Sequence, residues 1–196
     1  RKAYIIDAKR TPVGKARGLL SKTRADDLLV HAIQSVLKAS DPSEKINNSI
    51  DDIIVGCAMP EGPQGLNIAR IATLLAGLPD STPAYTLNRF CSSGLQSVSN
   101  AADLIKSGSS DLVIAAGVES MSSVPMTGFK PSMNPKILLD ENISIAYGMG
   151  LTAEKVVQKY GISREAQDQF AFESHQKAIK ANNNGLFENE IVPIET

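Results

Sequence analysis

Residues that form disulfide bonds or bind metal ions are scarce in this chain. Its 196 residues include two cysteines, two histidines and no tryptophan. Two cysteines cannot form a disulfide framework, and no Cys-x-x-Cys or His-x-x-x-His spacing offers a metal site. A dinucleotide site is not expected either, because no Gly-x-Gly-x-x-Gly follows the first predicted strand and no phosphate-loop motif occurs.

An excess of one charge and long apolar runs are also missing. The 20 basic and 21 acidic residues give a net charge of -1, which excludes a generally basic nucleic-acid binder. No apolar run approaches the length of a membrane span. We therefore expect a reduced, soluble, intracellular protein that binds no nucleic acid and has no membrane span.

Charge is unevenly distributed near the start of the chain. Up to Arg24 the sequence has eight basic residues and one acidic residue, Asp7. An amphipathic transit peptide is one interpretation, but residues 3–7 indicate a buried strand instead. A solvated loop is the simplest explanation of the charges, and a patch that faces an anionic ligand is the alternative.

What is present is an apolar fraction of 42%, enough for a core, and a regular alternation of strands and helices. Predicted strands cover 3–7, 52–58, 83–87 and 111–117, and predicted helices cover 28–37, 67–76 and 93–106. The strands over 52–58 and 111–117 are continuous apolar runs, which are typical of a parallel sheet covered on both faces. The sequence therefore predicts an α/β domain with a mainly parallel sheet.

The composition changes after residue 119. Residues 120–142 are rich in Ser, Met, Pro and Gly and show no clear periodicity. Two helices are then predicted over 152–160 and 164–181, with Ser163 as the N-cap of the second. We interpret the segment from residue 120 as an excursion from the core.

The segment Asn88-Arg-Phe-Cys91-Ser-Ser-Gly94 places a cysteine between a buried strand and a helix. A thiol at a helix N-terminus lies at the positive end of the helix dipole, beside unpaired backbone N–H groups. These features favour the nucleophilic thiolate, and the same N–H groups can hold an oxyanion when a carbonyl is attacked. By position alone, Cys91 is equally well explained as a nucleophile and as a small buried residue.

The other candidates have simpler explanations. Cys57 lies inside an apolar strand and is expected in the core. His31 is expected to pack between helices, and His175 is expected at a surface or half-buried helical position. Neither histidine has a neighbouring motif that would orient it as a base, so either Cys91 is not catalytic or its partner lies outside this chain. Glu119 follows a predicted strand and is expected to cap a helix or to form hydrogen bonds.

Taken together, the motifs of the chain resemble those of thiolases, in thiolase order. They are Arg10-Thr-Pro-Val-Gly14, Asn67-Ile-Ala-Arg70, the Asn88–Gly94 segment, Gly117-Val-Glu-Ser-Met121 and Met149-Gly-Leu-Thr-Ala-Glu154. The resemblance implies a layered α-β-α core with a mainly parallel mixed sheet over 1–119. It also implies the first part of a helical loop domain over 120–196.

The resemblance implies an acyltransferase that uses Cys91 as its nucleophile. Cys91 would accept the shortened acyl group of a 3-ketoacyl-CoA, acetyl-CoA would be released, and free CoA would collect the acyl group. The backbone N–H of Cys91 would be one oxyanion donor. Coenzyme A would be a co-substrate, with no permanently bound cofactor and no metal.

Two family motifs are missing from this sequence: a histidine in an Asn-x-x-Gly-Gly-x-x-x-x-x-His-Pro-type segment and a second cysteine in a Cys-x-Gly-Gly-Gly-type segment. Thiolases carry both in the C-terminal half. We therefore expect this chain to correspond to the N-terminal half and to be inactive alone. The resemblance further implies a homodimer or dimer of dimers, in the bacterial cytoplasm or alternatively in peroxisomes or the mitochondrial matrix.

The subtype is predicted from a few positions. Phe90, the paired Ser92-Ser93 and the loop 61–65 resemble the degradative 3-ketoacyl-CoA enzymes of fatty-acid β-oxidation. The alternative is a biosynthetic acetyl-CoA C-acetyltransferase, which more often carries Leu-Cys-Gly-Ser-Gly. Met149 matches a position beside the acyl pocket of the family. A non-catalytic thiolase-like interaction module is the alternative from another class of protein.

Overall fold

The computed structural model describes residues 1–139 and 148–195. The chain divides into two compact units, one formed by Arg1–Lys130 with the segment that begins at Glu190, the other by Pro131–Asn189. The assignment of 1–119 to a family core and of 120–196 to a loop domain remains a prediction. Positions 140–142 of the predicted irregular segment lie outside the described residues.

A three-stranded parallel sheet forms the centre of the first unit. Its strands are β1 (Asp52–Gly56), β2 (Ala84–Leu87) and β3 (Val113–Gly117), in the order β2-β1-β3. The middle of β1 is fully buried, as predicted from its continuous apolar run. This sheet confirms the predicted α/β class with parallel strands.

Helices cover both faces of this sheet. The first two, α1 (Ala25–Ser40) and α2 (Ile68–Leu75), form one apolar core with alternate residues of β1. Because successive strand residues point to opposite faces, Gly56 points to the other face, where it meets α3 (Ser93–Ser107). The layering is therefore helix, sheet, helix.

The predicted helix ends agree with local chemistry. Asn67 is the N-cap of α2, where its side chain accepts a hydrogen bond from the backbone N–H of Arg70 at 3.4 Å. Gly108 ends α3 with a φ of +81°, a conformation that glycine adopts without strain. The start of α3 follows the end of β2 and lies against Gly56, the last residue of β1, so the residues just before this helix are at the carboxyl edge of the sheet.

The predicted buried strand at 3–7 is wrong. The segment has no strand conformation, and its large apolar side chains are exposed: Tyr4 by 78%, Ile5 by 81% and Ile6 by 70%. A strand needs a neighbour for its backbone groups, and no described residue pairs with this segment. The nearest pairing is an isolated parallel bridge between Arg10 and Ile191.

The second unit contains helices α4 (Pro135–Leu139), α5 (Met149–Tyr160) and α6 (Arg164–Asn183). The last two confirm the sequence prediction, including Ser163 as N-cap, whose Oγ accepts the Ala166 N–H at 3.2 Å. Helix α4 was not predicted, since its five residues are too few to show helical periodicity. No helix among the described residues is long and apolar enough to cross a membrane.

Candidate active site

The cysteine turn, defined here as residues 88–92, connects β2 to α3. The structure places Cys91 directly before Ser92, the N-cap residue of α3, as the sequence predicts. The side chain of Cys91 is exposed. This position offers a solvent-accessible sulfur beside the N-terminus of a 15-residue helix.

Phe90 adopts an unusual backbone conformation immediately before the cysteine. Its φ is +47°, in the left-handed region, which costs a residue with a side chain about 1–2 kcal/mol. The side chain of Asn88 offsets this cost, because its Oδ1 accepts the Phe90 N–H at 2.8 Å. The amide of Asn88 also donates to the carbonyl of Ala58 at 2.9 Å.

Ser93 holds the turn from its other end. Its Oγ accepts the backbone N–H of Arg89 at 2.8 Å and donates to the carbonyl of Phe90 at 2.6 Å. Ser93 is only 3% exposed, so water competes little for these bonds. The turn that presents Cys91 is therefore held by side chains on both sides.

Glu119 braces the ends of two neighbouring strands. Its Oε2 accepts the backbone N–H of Ala58 at 2.7 Å, and its Oε1 accepts a hydrogen bond from Gln64. The buried Gln64 also donates to the carbonyl of Met59 at 2.7 Å and accepts the Ser120 N–H at 3.0 Å. The hydrogen-bonding role expected for Glu119 is confirmed.

Glycines allow α3 to begin directly against the sheet. A Cβ on Gly56 would lie 2.3 Å from the carbonyl carbon of Ser93, and a Cβ on Gly117 would lie 3.3 Å from the Cα of Gly94. Only glycine permits such a backbone approach. The glycines that end β1 and β3 thus allow the first turn of α3 to lie directly against the sheet.

Cys57 has none of these features. It is 1% exposed and belongs to the core between β1 and the helices α1 and α2, as predicted. Burial raises the pKa of its thiol to about 11, and the nearby charge of Glu119 acts in the same direction.

The remaining candidates lie elsewhere. The Nε2 of His31, on α1, is 2.9 Å from the carbonyl oxygen of Pro193, and His175 is exposed on α6. Met149 begins α5 with a side chain that is 66% exposed, and its predicted place beside an acyl pocket remains a prediction. Within residues 1–139 and 148–195, no group of three or more His, Cys, Asp or Glu side chains could hold a metal ion.

Sequence reasoning gave no role to Gln64 or to the side chain of Asn88. Gln64 is fully buried, yet it lies in a segment whose Pro and Gly residues predict a turn. No sequence pattern there indicates a buried side chain. Asn88 follows a strand, and the local sequence does not reveal its contact with Ala58, thirty positions away.

An exposed cysteine on a turn between a parallel strand and a helix N-terminus has surroundings that favour a reactive thiolate. The sequence comparison gives the family: the signature described as "Thiolase, N-terminal domain" matches residues 3–196. The chain belongs to the thiolase family.

Two curated relatives illustrate the similarity. The chain is 50% identical over 197 residues to the 3-ketoacyl-CoA thiolase of Bacillus subtilis (strain 168), covering 100% of this chain and 49% of that protein. It is 44% identical over 197 residues to the 3-ketoacyl-CoA thiolase of Enterobacter sp. (strain 638), covering 98% of this chain and 49% of the relative. The chain thus spans about half the length of the relatives it matches.

Proposed function

We propose that the protein containing this chain is an acetyl-CoA C-acyltransferase that cleaves 3-ketoacyl-CoA with Cys91 as its nucleophile. The observation that carries the proposal is the exposed Cys91, held on a braced turn ahead of α3, in a chain of the thiolase family. Relatives that bear the name 3-ketoacyl-CoA thiolase support the substrate class.

The proposed reaction has two transfers to and from the sulfur. The thiolate of Cys91 bonds to the 3-keto carbon, the bond between carbons 2 and 3 breaks, and its electron pair and a proton leave with acetyl-CoA. The acyl group, shorter by two carbons, remains on Cys91 as a thioester. Free CoA gives up its thiol proton, which replaces the one carried away by acetyl-CoA, and its sulfur attacks this thioester, so that Cys91 leaves as thiolate.

The backbone N–H of Cys91 serves as one donor to the oxyanion, because developing charge on an attacked carbonyl is stabilised by oriented N–H groups. The histidine and the second cysteine that catalysis in the family needs belong to motifs this sequence lacks. Met149 lies beside the acyl pocket in this proposal, and CoA is the co-substrate. The setting is fatty-acid β-oxidation in the cytoplasm of a bacterium, with the protein as a homodimer or dimer of dimers.

The test uses the protein expressed from its complete reading frame, incubated with a 3-ketoacyl-CoA and CoA, with acetyl-CoA quantified by chromatography. Cys91→Ser should lower kcat at least about a thousandfold, because a serine hydroxyl is far less ionised than a thiol at neutral pH. Cys57→Ala is the matched control and should keep kcat within about threefold of the unsubstituted protein. Retained activity in Cys91→Ser, or an equal loss in Cys57→Ala, would contradict the proposal.

A further inference from the structure

We propose that Asn88 is a positioning residue for Cys91, which fixes the backbone of the residue before the nucleophile and ties it to the ends of β1 and β3. The effect of Asn88 on turnover rests on the proposed function, whereas its effect on the reactivity of the thiol does not.

The side chain of Asn88 sets the local geometry of the cysteine turn. Asn88 accepts the N–H of the residue two positions ahead, Phe90, at 2.8 Å, which closes a side-chain turn of the kind that asparagine forms readily. Phe90 is thereby kept at a φ of +47°. Because the next residue is Cys91, the backbone that carries the sulfur takes its direction from this bond.

Asn88 also connects the cysteine turn to the sheet. The Asn88 amide donates to the carbonyl of Ala58 at 2.9 Å, while the N–H of Ala58 donates to Glu119 at 2.7 Å. In addition, the N–H of Val118 donates to the carbonyl of Gly56 at 3.0 Å. Asn88 therefore joins the turn after β2 to the residues that follow β1 and β3.

Position 88 uses both hydrogen-bonding groups of an asparagine side chain. Asparagine offers an acceptor and a donor at once, and both are used here. Aspartate at position 88 would keep the acceptor for Phe90 but would turn a carboxylate toward the carbonyl of Ala58. Glutamine would keep both groups on a longer stem that no longer closes the short turn. Comparing asparagine, aspartate and glutamine at position 88 therefore separates the effects of the acceptor, the donor and the length of the side chain.

The effect of Asn88 on Cys91 can be measured apart from its effect on the stability of the protein. Asn88 is exposed, so removing it leaves no buried polar group unpaired and should disturb overall stability little. Its effect should instead appear at Cys91. A matched control exists at the end of α1, where Asp41 accepts the Ser43 N–H, also two residues ahead, at 2.9 Å. Asp41 forms the same kind of turn away from either cysteine.

The experiment measures two quantities on the protein expressed from its complete reading frame. One is the rate constant for alkylation of Cys91 by iodoacetamide, mapped by mass spectrometry. The other is steady-state thiolysis of a 3-ketoacyl-CoA. For Asn88→Ala we expect alkylation to slow at least about threefold and kcat to fall about tenfold or more, with KM changed less than about threefold.

Variants distinguish positioning from stability. Asn88→Asp should recover most of the alkylation rate, because it restores the acceptor for Phe90, and Asp41→Ala should leave both quantities unchanged. Should Asn88→Ala fail to fold, Asn88→Gln decides, with the same losses expected. Unchanged alkylation and kcat in the folded Asn88 variant would overturn the proposal, as would an equal loss in Asp41→Ala. Slower alkylation of Cys91 in a protein without thiolysis would uphold positioning and refute the proposed function.

Discussion

The ends of β1 and β2 lie side by side, and a cysteine follows each of them. The N–H of Cys57, directly after β1, donates to the carbonyl of Leu87, the last residue of β2, at 3.0 Å. Yet Cys57 is 1% exposed, and Cys91 is open to solvent. The two thiols share one edge of one sheet and differ in their exposure to solvent.

The difference arises from the backbone. Cys57 continues the alternation of β1, so its side chain points to the same face as Ile53 and Val55 and enters the core. After β2 the chain leaves this alternation through Asn88 and the left-handed Phe90 before it reaches Cys91. A place at the carboxyl edge of a sheet therefore does not by itself expose a thiol. The turn that follows the strand determines the exposure.

The largest expected effect is the contrast in alkylation between the two thiols. At neutral pH, iodoacetamide should modify Cys91 at least about a hundredfold faster than Cys57, because only an exposed thiolate reacts readily. The pKa of Cys57 is raised to about 11, so its neutral, unreactive thiol predominates below that pH. Raising the pH from about 7 to about 9 should thus leave Cys57 unmodified in the folded protein.

Peptide mapping after timed labelling checks this contrast, and labelling in denaturant, where both cysteines should react, is the control. Preferential labelling of Cys57 under native conditions would break the comparison between the two strand ends.

The next effect concerns the close approach of α3 to the sheet. Gly56→Ala should destabilise the protein by about 1–3 kcal/mol, because the new Cβ would overlap the backbone of Ser93. At Gly94 the nearest atom to a new Cβ is the Cα of Gly117 at 4.0 Å, an ordinary contact. Gly94→Ala should therefore be neutral or stabilising by up to about 1 kcal/mol, since alanine favours a helix.

Chemical denaturation of the two alanine variants measures this difference. Equal stability of Gly56→Ala and the unsubstituted protein would show that the glycine contact does not set the position of α3.

A smaller effect is expected when the brace between β1 and β3 is removed. Glu119→Ala should cost about 1 kcal/mol, because the Ala58 N–H and the Gln64 amide lose an acceptor. It should also slow the alkylation of Cys91, since Ala58 is the partner of Asn88. The control is Glu154→Ala on α5, an exposed glutamate, which should change stability by less than about 0.5 kcal/mol.

Thermal unfolding and alkylation kinetics together decide the role of Glu119. Lower stability without any change at Cys91 would confine this residue to a structural role.

The smallest effect is expected from the basic residues near the start of the chain. Arg10 pairs with Glu190 at 2.7 Å, whereas Lys15, Arg17 and Lys22 are exposed. Neutralising these three together should change the KM for CoA by less than about tenfold, or roughly 1.4 kcal/mol. Steady-state kinetics at low and physiological salt measure it. A larger loss that fades as salt rises would mean that this segment attracts CoA.

Much of the core could be predicted because its signals are local. Continuous apolar runs mark β1 and β3, and Asn67 and Ser163 cap their helices as short-range chemistry requires. The prediction of a strand at 3–7 was wrong because a strand must pair with a neighbouring strand, which the local sequence does not reveal. Phe90 shows the same limit at the site, since an aromatic residue carries no preference for a positive φ.

Thioester formation on Cys91 is tested most directly by mass spectrometry of the protein expressed from its complete reading frame after incubation with 3-ketohexanoyl-CoA and no free CoA. We expect the mass of one butanoyl group on the peptide that contains Cys91, with acetyl-CoA released and the label removed when CoA is added. No label should form in Cys91→Ser, and full label should form in Cys57→Ala. Release of acetyl-CoA without any acyl group on Cys91, or with the group on another residue, would contradict the assignment of Cys91 as the nucleophile.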